Sequence, residues 1–181
     1  MRQQPDTEAT MSAVGDESVN FAPELAFRES VDRLFARVEA QVRALLPGSD
    51  IQHVGSTAIP GSLTKGDLDV QVRVTSDKYD AAKELLSKLY AVNLGGFASR
   101  DAISFEDYSS QPSLGVHLTV IDGSADFQWR FRDLLVASTA LREEYDQLKR
   151  RFHGGSMAKY RDAKATFVAG VLRGAGVKRA Q

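Results

Sequence analysis

The chain has 181 residues, of which 43% are hydrophobic and 26% are charged, and it contains no cysteine. This length and composition are typical of one globular domain with a substantial core. The lack of cysteine excludes disulfides, thiolate metal sites and cysteine nucleophiles. There is no run of about 18 apolar residues and no apolar N-terminal segment, so we expect a cytoplasmic protein without a membrane span.

The formal net charge of −1 is distributed unevenly along the chain. Residues 1–127 carry eleven Lys and Arg against nineteen Asp and Glu, a balance of −8, whereas residues 128–181 carry twelve against five, a balance of +7. Basic helices opposite an acidic site would attract phosphate groups or an RNA backbone. The pattern is equally expected if the basic segment neutralises the acidic part of the same domain.

The first half of the chain alternates between helical and extended patterns. Residues 1–20 are polar and lack periodicity, which predicts a mobile tail. Apolar residues recur at helical spacing over 23–46, and Pro47-Gly48 ends that helix. Strands are predicted over 50–54 and 68–74, since both segments are rich in β-branched residues.

The second half adds further strands and then becomes helical. A helix follows Ser76, and strands are predicted over 102–108 and 114–121. Three helices follow, with predicted N-caps at Ser124, Thr139 and Ser156. Together these elements predict an α+β fold, in which a mixed sheet of about four strands is flanked by an N-terminal helix and C-terminal helices. The domain is predicted to cover 21–175, followed by a basic tail over 176–181.

The segment from Ile51 to Val74 carries the clearest functional pattern. Its second strand places Asp67 and Asp69 two residues apart, so both carboxylates face one side while the apolar residues between and after them face the other. Carboxylates about 7 Å apart along a strand can share a divalent cation. The preceding Gly55-Ser56 turn offers backbone N–H groups and a hydroxyl to a phosphate, although such a pair is also ordinary turn chemistry.

The order of these features resembles a known superfamily. A strand, Gly-Ser, ten intervening residues and Asp-x-Asp on a second strand resemble the nucleotidyltransferase signature. The longer string HVGSTAIPG, followed by Lys65 and the two aspartates, resembles the GrpB family within that superfamily. The resemblance continues through FRDLL (131–135), YDQLK (145–149) and YRDAKATF (160–167). It implies a nucleotidyltransferase-like fold for the domain.

The resemblance also implies roles for particular residues. Gly55 and Ser56, with the adjacent Thr57, would hold the triphosphate, although Thr57 also suits a turn-capping hydroxyl. Asp67 and Asp69 would bind Mg²⁺ or Mn²⁺ and position an acceptor hydroxyl for in-line attack.

Lysines are the remaining candidates for phosphate contacts. Lys65, close to Asp67, would balance phosphate charge or form a salt bridge with a nearby acid. On the C-terminal helices, Lys149 and Lys164 lie in the segments that resemble the family, and this favours them over Arg130, Arg132, Lys159 and Arg161. Each of these cations would also suit a solvated helix face.

One feature departs from the superfamily pattern. A third carboxylate is expected on a later strand, but LGVHLTVI offers His117 and Thr119 on its non-apolar face. His117 can bind a metal or act as a base, and Glu106 and Asp107 on the preceding strand are the other candidates. His53, next to the Gly-Ser turn, is predicted to be structural rather than a ligand.

These observations predict transfer of a nucleotidyl group from a nucleoside triphosphate to an unknown acceptor, with Mg²⁺ or Mn²⁺. The alternative is a non-catalytic module that binds a nucleotide or a CoA-like cofactor. A third interpretation is an RNA-associated protein that uses the basic C-terminal segment. No membrane partner is expected.

Overall fold

The computed structural model describes residues 17–176. In that range the strands are β1 (Ser18–Val19), β2 (Ala22–Pro23), β3 (Asp50–Val54), β4 (Leu63–Thr64), β5 (Leu68–Val74), β6 (Ala91–Val92), β7 (Ala102–Asp107), β8 (Leu114–Val120) and β9 (Gly155–Ser156). The α-helices are α1 (Arg28–Leu45), α2 (Tyr79–Ser87), α3 (Gln128–Ala137), α4 (Thr139–Phe152) and α5 (Met157–Gly174).

The principal sheet has the strand order β3-β5-β8-β7-β6. Strands β5 and β8 are parallel and the other neighbours are antiparallel, so the sheet is mixed and the α+β prediction is confirmed. The sheet has five strands rather than about four, because the two-residue strand β6 extends its edge. So short a segment has too few residues to show an alternating pattern.

The two faces of the sheet differ in polarity, as the alternation predicted. On β5, Leu68, Val70 and Val72 are fully buried in a core that also contains residues of α1 and α2. The intervening side chains of Asp69 and Gln71 face the opposite side, where the C-terminal helices lie. The polar side chains of β5 therefore lie on the face of the sheet that is turned away from the larger core.

The C-terminal helices form a second core of their own. Residues of α3, α4 and α5 pack around Tyr145, Leu135 and Leu172, all buried, and are joined by Ile59 from the loop after β3. This cluster lies over the polar side of the principal sheet. The polar face of the sheet is therefore enclosed between the sheet and the core of the C-terminal helices.

A buried polar network fastens α3 to that polar face. Arg73 donates two hydrogen bonds to Asp126, at 2.6 and 2.8 Å. Gln71 donates to Thr119 at 3.0 Å and to Asp126 at 3.1 Å, and its carbonyl accepts from the backbone N–H of Trp129 at 3.1 Å. Since each buried polar group in this set has a partner, the network fixes the start of α3.

The helix starts differ in part from the predictions. Ser156 caps α5 as predicted, with its hydroxyl accepting from the backbone of the third residue beyond it. The N-cap of α4 is Ser138, one residue before the predicted Thr139. Ser124 does not begin a helix, because its N–H and hydroxyl both bond to Asp101.

The N-terminal region is also more regular than predicted. Helix α1 begins at Arg28 rather than near Pro23, because Pro23 lies in β2 and pairs with β4. Within the predicted tail, Ser18–Val19 pairs with β9 and Val19 is fully buried, so ordered structure begins before residue 21. The rest of the predicted tails, 1–16 and 177–181, lies outside the described residues.

No helix within residues 17–176 is both long enough and apolar enough to cross a bilayer.

Candidate functional site

A cleft with two lobes opens between the polar face of the sheet and the C-terminal helices. The first lobe has a volume of about 730 Å³ and the second about 600 Å³. Five charged side chains and one histidine line both lobes and therefore stand where the lobes meet: Lys65, Asp67, Asp69, Glu106, His117 and Arg161. The structure thus brings together Asp67, Asp69 and His117, the three residues predicted to be catalytic.

Asp69 is held tightly between two glycines. It pairs with Gly115 of β8, where an added Cβ would lie 2.9 Å from Asp69 Oδ1. Gly55 packs against the other side of the carboxylate, because an added Cβ there would collide with Asp69 Oδ2. Gly55 also has φ 76° and ψ −171°, a backbone conformation essentially reserved for glycine. The Gly-Ser turn and the carboxylate are therefore built against each other.

Hydrogen bonding and charge keep Asp69 ionised. Burial, the largest single influence, acts to raise its pKa, but the hydrogen bond from His117 and the charges of His117, Lys164 and Lys65 outweigh it, so the pKa of Asp69 is lowered. His117 Nε2 lies 3.3 Å from Asp69 Oδ1. A charged carboxylate is the form that binds a cation.

Asp67 has a cationic neighbour. Lys65 Nζ lies 2.8 Å from Asp67 Oδ2, and both side chains are about one-third exposed, at 37% and 29%. The salt bridge considered from the sequence is therefore present. Both residues still line the cleft, so Lys65 remains within reach of an anionic ligand.

The Gly55-Ser56 turn and Lys164 lie on the wall of the first lobe. Ser56 begins a short 3₁₀ turn, Ser56–Ala58, directly after β3. Lys164 reaches the lobe from α5 and is partly buried. Its pKa is raised first by Tyr145 and, against the effect of burial, also by Asp69 and Asp67. The first lobe thus combines the Gly-Ser turn with a lysine whose charged form is favoured by its surroundings.

Thr57 does not line the cleft. Its hydroxyl donates to the backbone carbonyl of Asp67 at 3.0 Å, and lies 3.1 Å from His53 Nε2. His53 itself stacks on Phe35 of α1 with ring centroids 5.2 Å apart, and burial lowers its pKa. Thr57 therefore fastens the turn to the Asp67 strand rather than reaching a ligand, and His53 has the structural role that was predicted.

Lys149 lies away from the lining of the cleft, contrary to its predicted role in phosphate binding. It is completely buried, and its ammonium donates to Ser62 Oγ at 2.8 Å, to Asp146 Oδ1 at 3.1 Å and to the carbonyl of Leu63. Asp146 in turn accepts from Ser62 and from the N–H of Leu63. The three donors of the ammonium have protein acceptors, so Lys149 holds the loop before Asp67 against α4.

The other cations of the C-terminal helices have varied surroundings. Arg161 lines both lobes. Arg132 donates to the carbonyl of His53 at 2.6 Å and supports β3 instead. Arg130 lies over the ring of Trp129, with its guanidinium carbon 5.0 Å from the ring centroid. Much of the local positive charge of the helices is therefore used in contacts that stabilise the fold.

The structure distinguishes the candidates for a third carboxylate. Glu106 lines both lobes and pairs with Gly115 from the side opposite Asp69, and its Oε2 is buried without a hydrogen-bond partner. Asp107 bonds instead to Ser109 and Ser110. Across residues 17–176, no group of three or more His, Asp and Glu side chains is already gathered around a metal position.

Sequence reasoning missed much of the cleft wall. The first lobe has an aromatic side that includes Phe127, Tyr145 and Tyr160, and the second lobe is lined by the turn over 111–113 and by the first two residues of β8. The two tyrosines lie in YDQLK and YRDAKATF, the segments that resemble the family, so their position there was the available signal. The turn carried no chemical signal.

Comparison with known proteins identifies the family. Residues 25–173 match the family model described as GrpB protein. The chain belongs to the GrpB family. A UPF0157 protein of Vibrio cholerae is 30% identical over 172 residues, covering 95% of this chain and 90% of that protein. A UPF0157 protein of Deinococcus radiodurans is 31% identical over 142 residues, covering 77% of this chain and 74% of the relative.

A solved structure shares the GrpB fold. The crystal structure of the conserved protein GrpB from Enterococcus faecalis superposes with a TM-score of 0.65 and 19% sequence identity, covering 84% of this chain and 97% of that chain. The α+β arrangement is therefore that of another GrpB protein. At this identity the similarity concerns the fold alone.

Proposed function

We propose that this GrpB protein is a metal-dependent nucleotidyltransferase that moves a nucleotidyl group from a nucleoside triphosphate to an acceptor hydroxyl. The observation that carries the proposal is the position of Asp67 and Asp69 at the junction of two lobes. A transfer reaction needs two substrates to meet at one reactive point. Lobes of about 730 and 600 Å³ are each of the size that holds a small molecule.

The carboxylates suit the metal that the reaction requires. Mg²⁺ and Mn²⁺ prefer oxygen ligands, and Mg²⁺ is commonly held by one or two carboxylates together with substrate phosphates and water. Asp67 and Asp69 supply two such carboxylates, and the unpartnered oxygen of Glu106 lies one strand beyond Gly115. An incomplete protein ligand set fits a metal that arrives with the triphosphate. The metal would neutralise phosphate charge during transfer.

The first lobe suits the nucleotide. The Gly55-Ser56 turn, Lys164 and Arg161 offer hydrogen-bond donors and positive charge to the phosphates. The aromatic wall of the same lobe, with Phe127 and Tyr160, suits the flat apolar faces of a nucleobase. The second lobe then remains for the acceptor.

The chemistry assigned to these residues is an in-line displacement. The acceptor oxygen forms a bond to the α-phosphorus, the bond from that phosphorus to the β-phosphate oxygen breaks, and pyrophosphate leaves. The proton of the acceptor hydroxyl must pass to a base. Glu106 and His117 both line the two lobes, and Glu106 has the carboxylate oxygen without a partner. We assign the proton to Glu106.

The test uses the full chain, the four ribonucleoside triphosphates labelled at the α-phosphate, Mg²⁺ or Mn²⁺, and a small-molecule and an RNA fraction of a cell extract as acceptors. We expect labelled product and pyrophosphate from the wild type. Asp67→Asn and Asp69→Asn should abolish both and weaken Mn²⁺ binding measured by calorimetry. Asp80→Asn, which changes an exposed acid of α2, is the matched control and should behave as wild type. Equal Mn²⁺ affinity in wild type and Asp69→Asn would contradict the metal assignment.

A second function has one observation in its favour. Because no three His, Asp or Glu side chains within residues 17–176 are arranged around one metal position, the cleft also suits a module that binds a nucleotide or a CoA-like cofactor without turnover. Tight triphosphate binding without pyrophosphate release, under either metal and with either acceptor fraction, would support the module and exclude the transferase. Label in the RNA fraction would instead identify RNA as the acceptor.

A further inference from the structure

An N-terminal strap, residues 17–23, adds one side chain to the wall of the first lobe. The strap is fastened at two places, because β1 pairs with β9 and β2 pairs with β4. The carbonyl groups of Glu17 and Val19 also accept hydrogen bonds from the backbone N–H groups of Met157 and Gly154, both at 2.8 Å. A segment tied down in this way holds a defined position against the domain.

Phe21 is the strap residue that lines the first lobe. Its backbone N–H donates to His153 Nδ1 at 3.1 Å. Its ring meets the ring of Tyr160 edge-on, with the centroids 5.0 Å apart and 69° between the planes. Tyr160 is only 4% exposed, whereas Phe21 is partly exposed. Phe21 is therefore the member of this pair that a ligand can contact, and Tyr160 supports its ring.

The lining of the first lobe differs in polarity from one part to another. The charged side chains that it shares with the second lobe lie at the junction. Apolar side chains that line the first lobe and not the second include Phe21, Ile59, Phe127 and Val168. A ligand whose anionic end lies at the junction therefore places its uncharged end against these apolar side chains.

We infer that Phe21 is a nucleobase-contacting residue, which the strap holds on the apolar side of the first lobe. The inference rests on the proposed function, since it assigns the base of the same nucleotide to a particular surface. Bases stack on aromatic rings, and this contact is available to every base because every base has a π-face. The match to the GrpB family model begins at residue 25, so the strap lies outside the segment that the family model covers.

Calorimetry with ATP, UTP and inorganic tripolyphosphate, each titrated into the full chain with Mg²⁺, tests the contact. Phe21→Leu keeps an apolar side chain but loses the ring, so we expect the affinities for ATP and UTP to fall about tenfold. The affinity for tripolyphosphate, which has no base, should stay unchanged. Phe21→Tyr keeps the ring and should bind all three ligands as the wild type does.

Phe152→Leu is the matched control. Phe152 is also partly buried and also lies against Tyr160, with ring centroids 6.1 Å apart, but it does not line either lobe. We expect Phe152→Leu to leave the three affinities unchanged. Equal losses of ATP affinity in Phe21→Leu and Phe152→Leu would show that both act through the packing of Tyr160, and would overturn the inference.

A second pair of variants tests whether the strap must hold Phe21 in place. His153→Ala removes the acceptor of the Phe21 N–H, so the affinity for ATP should fall about threefold. His153→Asn returns an acceptor oxygen and should recover most of the loss. This pair also decides if Phe21→Leu does not fold. A loss in His153→Ala that His153→Asn recovers supports the inference, and wild-type ATP affinity in His153→Ala overturns the role of the strap.

The remaining outcomes distinguish this inference from the proposed function. If the wild type binds ATP and UTP and Phe21→Leu binds them equally well, the inference is overturned and the proposed function stands. A loss of tripolyphosphate affinity as large as the loss of ATP affinity makes Phe21 a structural residue and also overturns the inference. No binding of any nucleoside triphosphate by the wild type overturns both. Binding that depends on Phe21, without labelled product in the transfer assay, supports the inference and overturns the transferase.

Discussion

Gly55 has no room for a side chain, because Asp69 Oδ2 occupies the space in which a Cβ would lie. The two residues also sit on neighbouring strand ends, since Val54 pairs with Asp69 across β3 and β5. The contact brings a turn suited to phosphate directly against a carboxylate suited to metal. The Gly-Ser turn and the Asp69 carboxylate can therefore lie in contact only because Gly55 has no Cβ.

Gly55→Ala should consequently destabilise the protein by about 3 kcal/mol, from the strained backbone and the displaced carboxylate. Gly61→Ala is the matched control, because Gly61 has the same φ of 76° but nothing within 4 Å of an added Cβ. It should cost about 1 kcal/mol. Urea unfolding of both variants measures the difference, and equal losses would contradict the steric role of Asp69.

Lys149 and Lys164, which lie in the segments that resemble the family, should respond in opposite ways to replacement by methionine. Lys149→Met leaves Asp146 buried without its cation, so we expect the free energy of unfolding to fall by about 3 kcal/mol. Triphosphate affinity of the folded variant should change little. Lys164→Met should instead lower triphosphate affinity, with a smaller effect on stability. Urea unfolding and calorimetry on both variants test the assignment, which is wrong if Lys149→Met loses affinity and keeps its stability.

The pair of Asp69 and His117 predicts a dependence on pH. Because the folded protein lowers the pKa of Asp69, the charged form stabilises the fold above the ordinary aspartate pKa of about 3.9, and this contribution disappears as the pH falls through the lowered value. His117→Phe keeps a ring beside Phe97 but loses the hydrogen bond. We expect it to cost about 1 kcal/mol at pH 6–7, after allowance for solvent screening.

The loss of stability caused by His117→Phe should shrink below pH 4, because the wild type also loses the charge on Asp69. Ser104→Ala is the control, because it removes the other hydrogen-bond partner of His117, at 3.1 Å, without touching Asp69. The loss of stability caused by Ser104→Ala should not decline in the same way at low pH. Urea unfolding across the pH range measures both variants, and a His117→Phe cost that grows at acid pH would refute the linkage.

The buried network under α3 should be important for stability. Asp126→Asn removes the charge that Arg73 and Gln71 contact, and the side chain of Asp126 is fully buried. We expect a loss of about 3 kcal/mol, since Arg73 then keeps a much weaker partner. Asp133→Asn changes an acid whose side chain is 53% exposed and should cost no more than about 0.5 kcal/mol. Thermal unfolding of the two variants makes the comparison.

Local patterns in the sequence were sufficient for the central strand of the site. The alternation through 67–74 assigned the carboxylates and the apolar residues to opposite faces, and the structure has the apolar set buried as predicted. Alternation is a property of the extended backbone itself, so it needs no knowledge of the neighbours. The Gly-Ser turn was also recognisable from local sequence, because only a few residue types adopt its backbone conformation.

Other features depended on contacts between distant segments. Lys149 and Lys164 have the same chemistry and lie in similar helical segments, yet one is buried against Ser62 and the other faces the cleft. Which face of a helix meets which neighbour is decided by packing and not by the composition of the segment. Likewise, Glu106 approaches Asp69 only through the pairing of both strands with Gly115.

The sequence by itself therefore determined the α+β fold, the strand that carries Asp67 and Asp69, and the turn beside it, because backbone geometry and hydrophobic periodicity are local. The tertiary structure alone decided that the carboxylates stand between two lobes, and that Lys149 is buried whereas Lys164 lines the first lobe. Those relationships join residues far apart in the chain, and they form when the helical core closes over the polar face of the sheet.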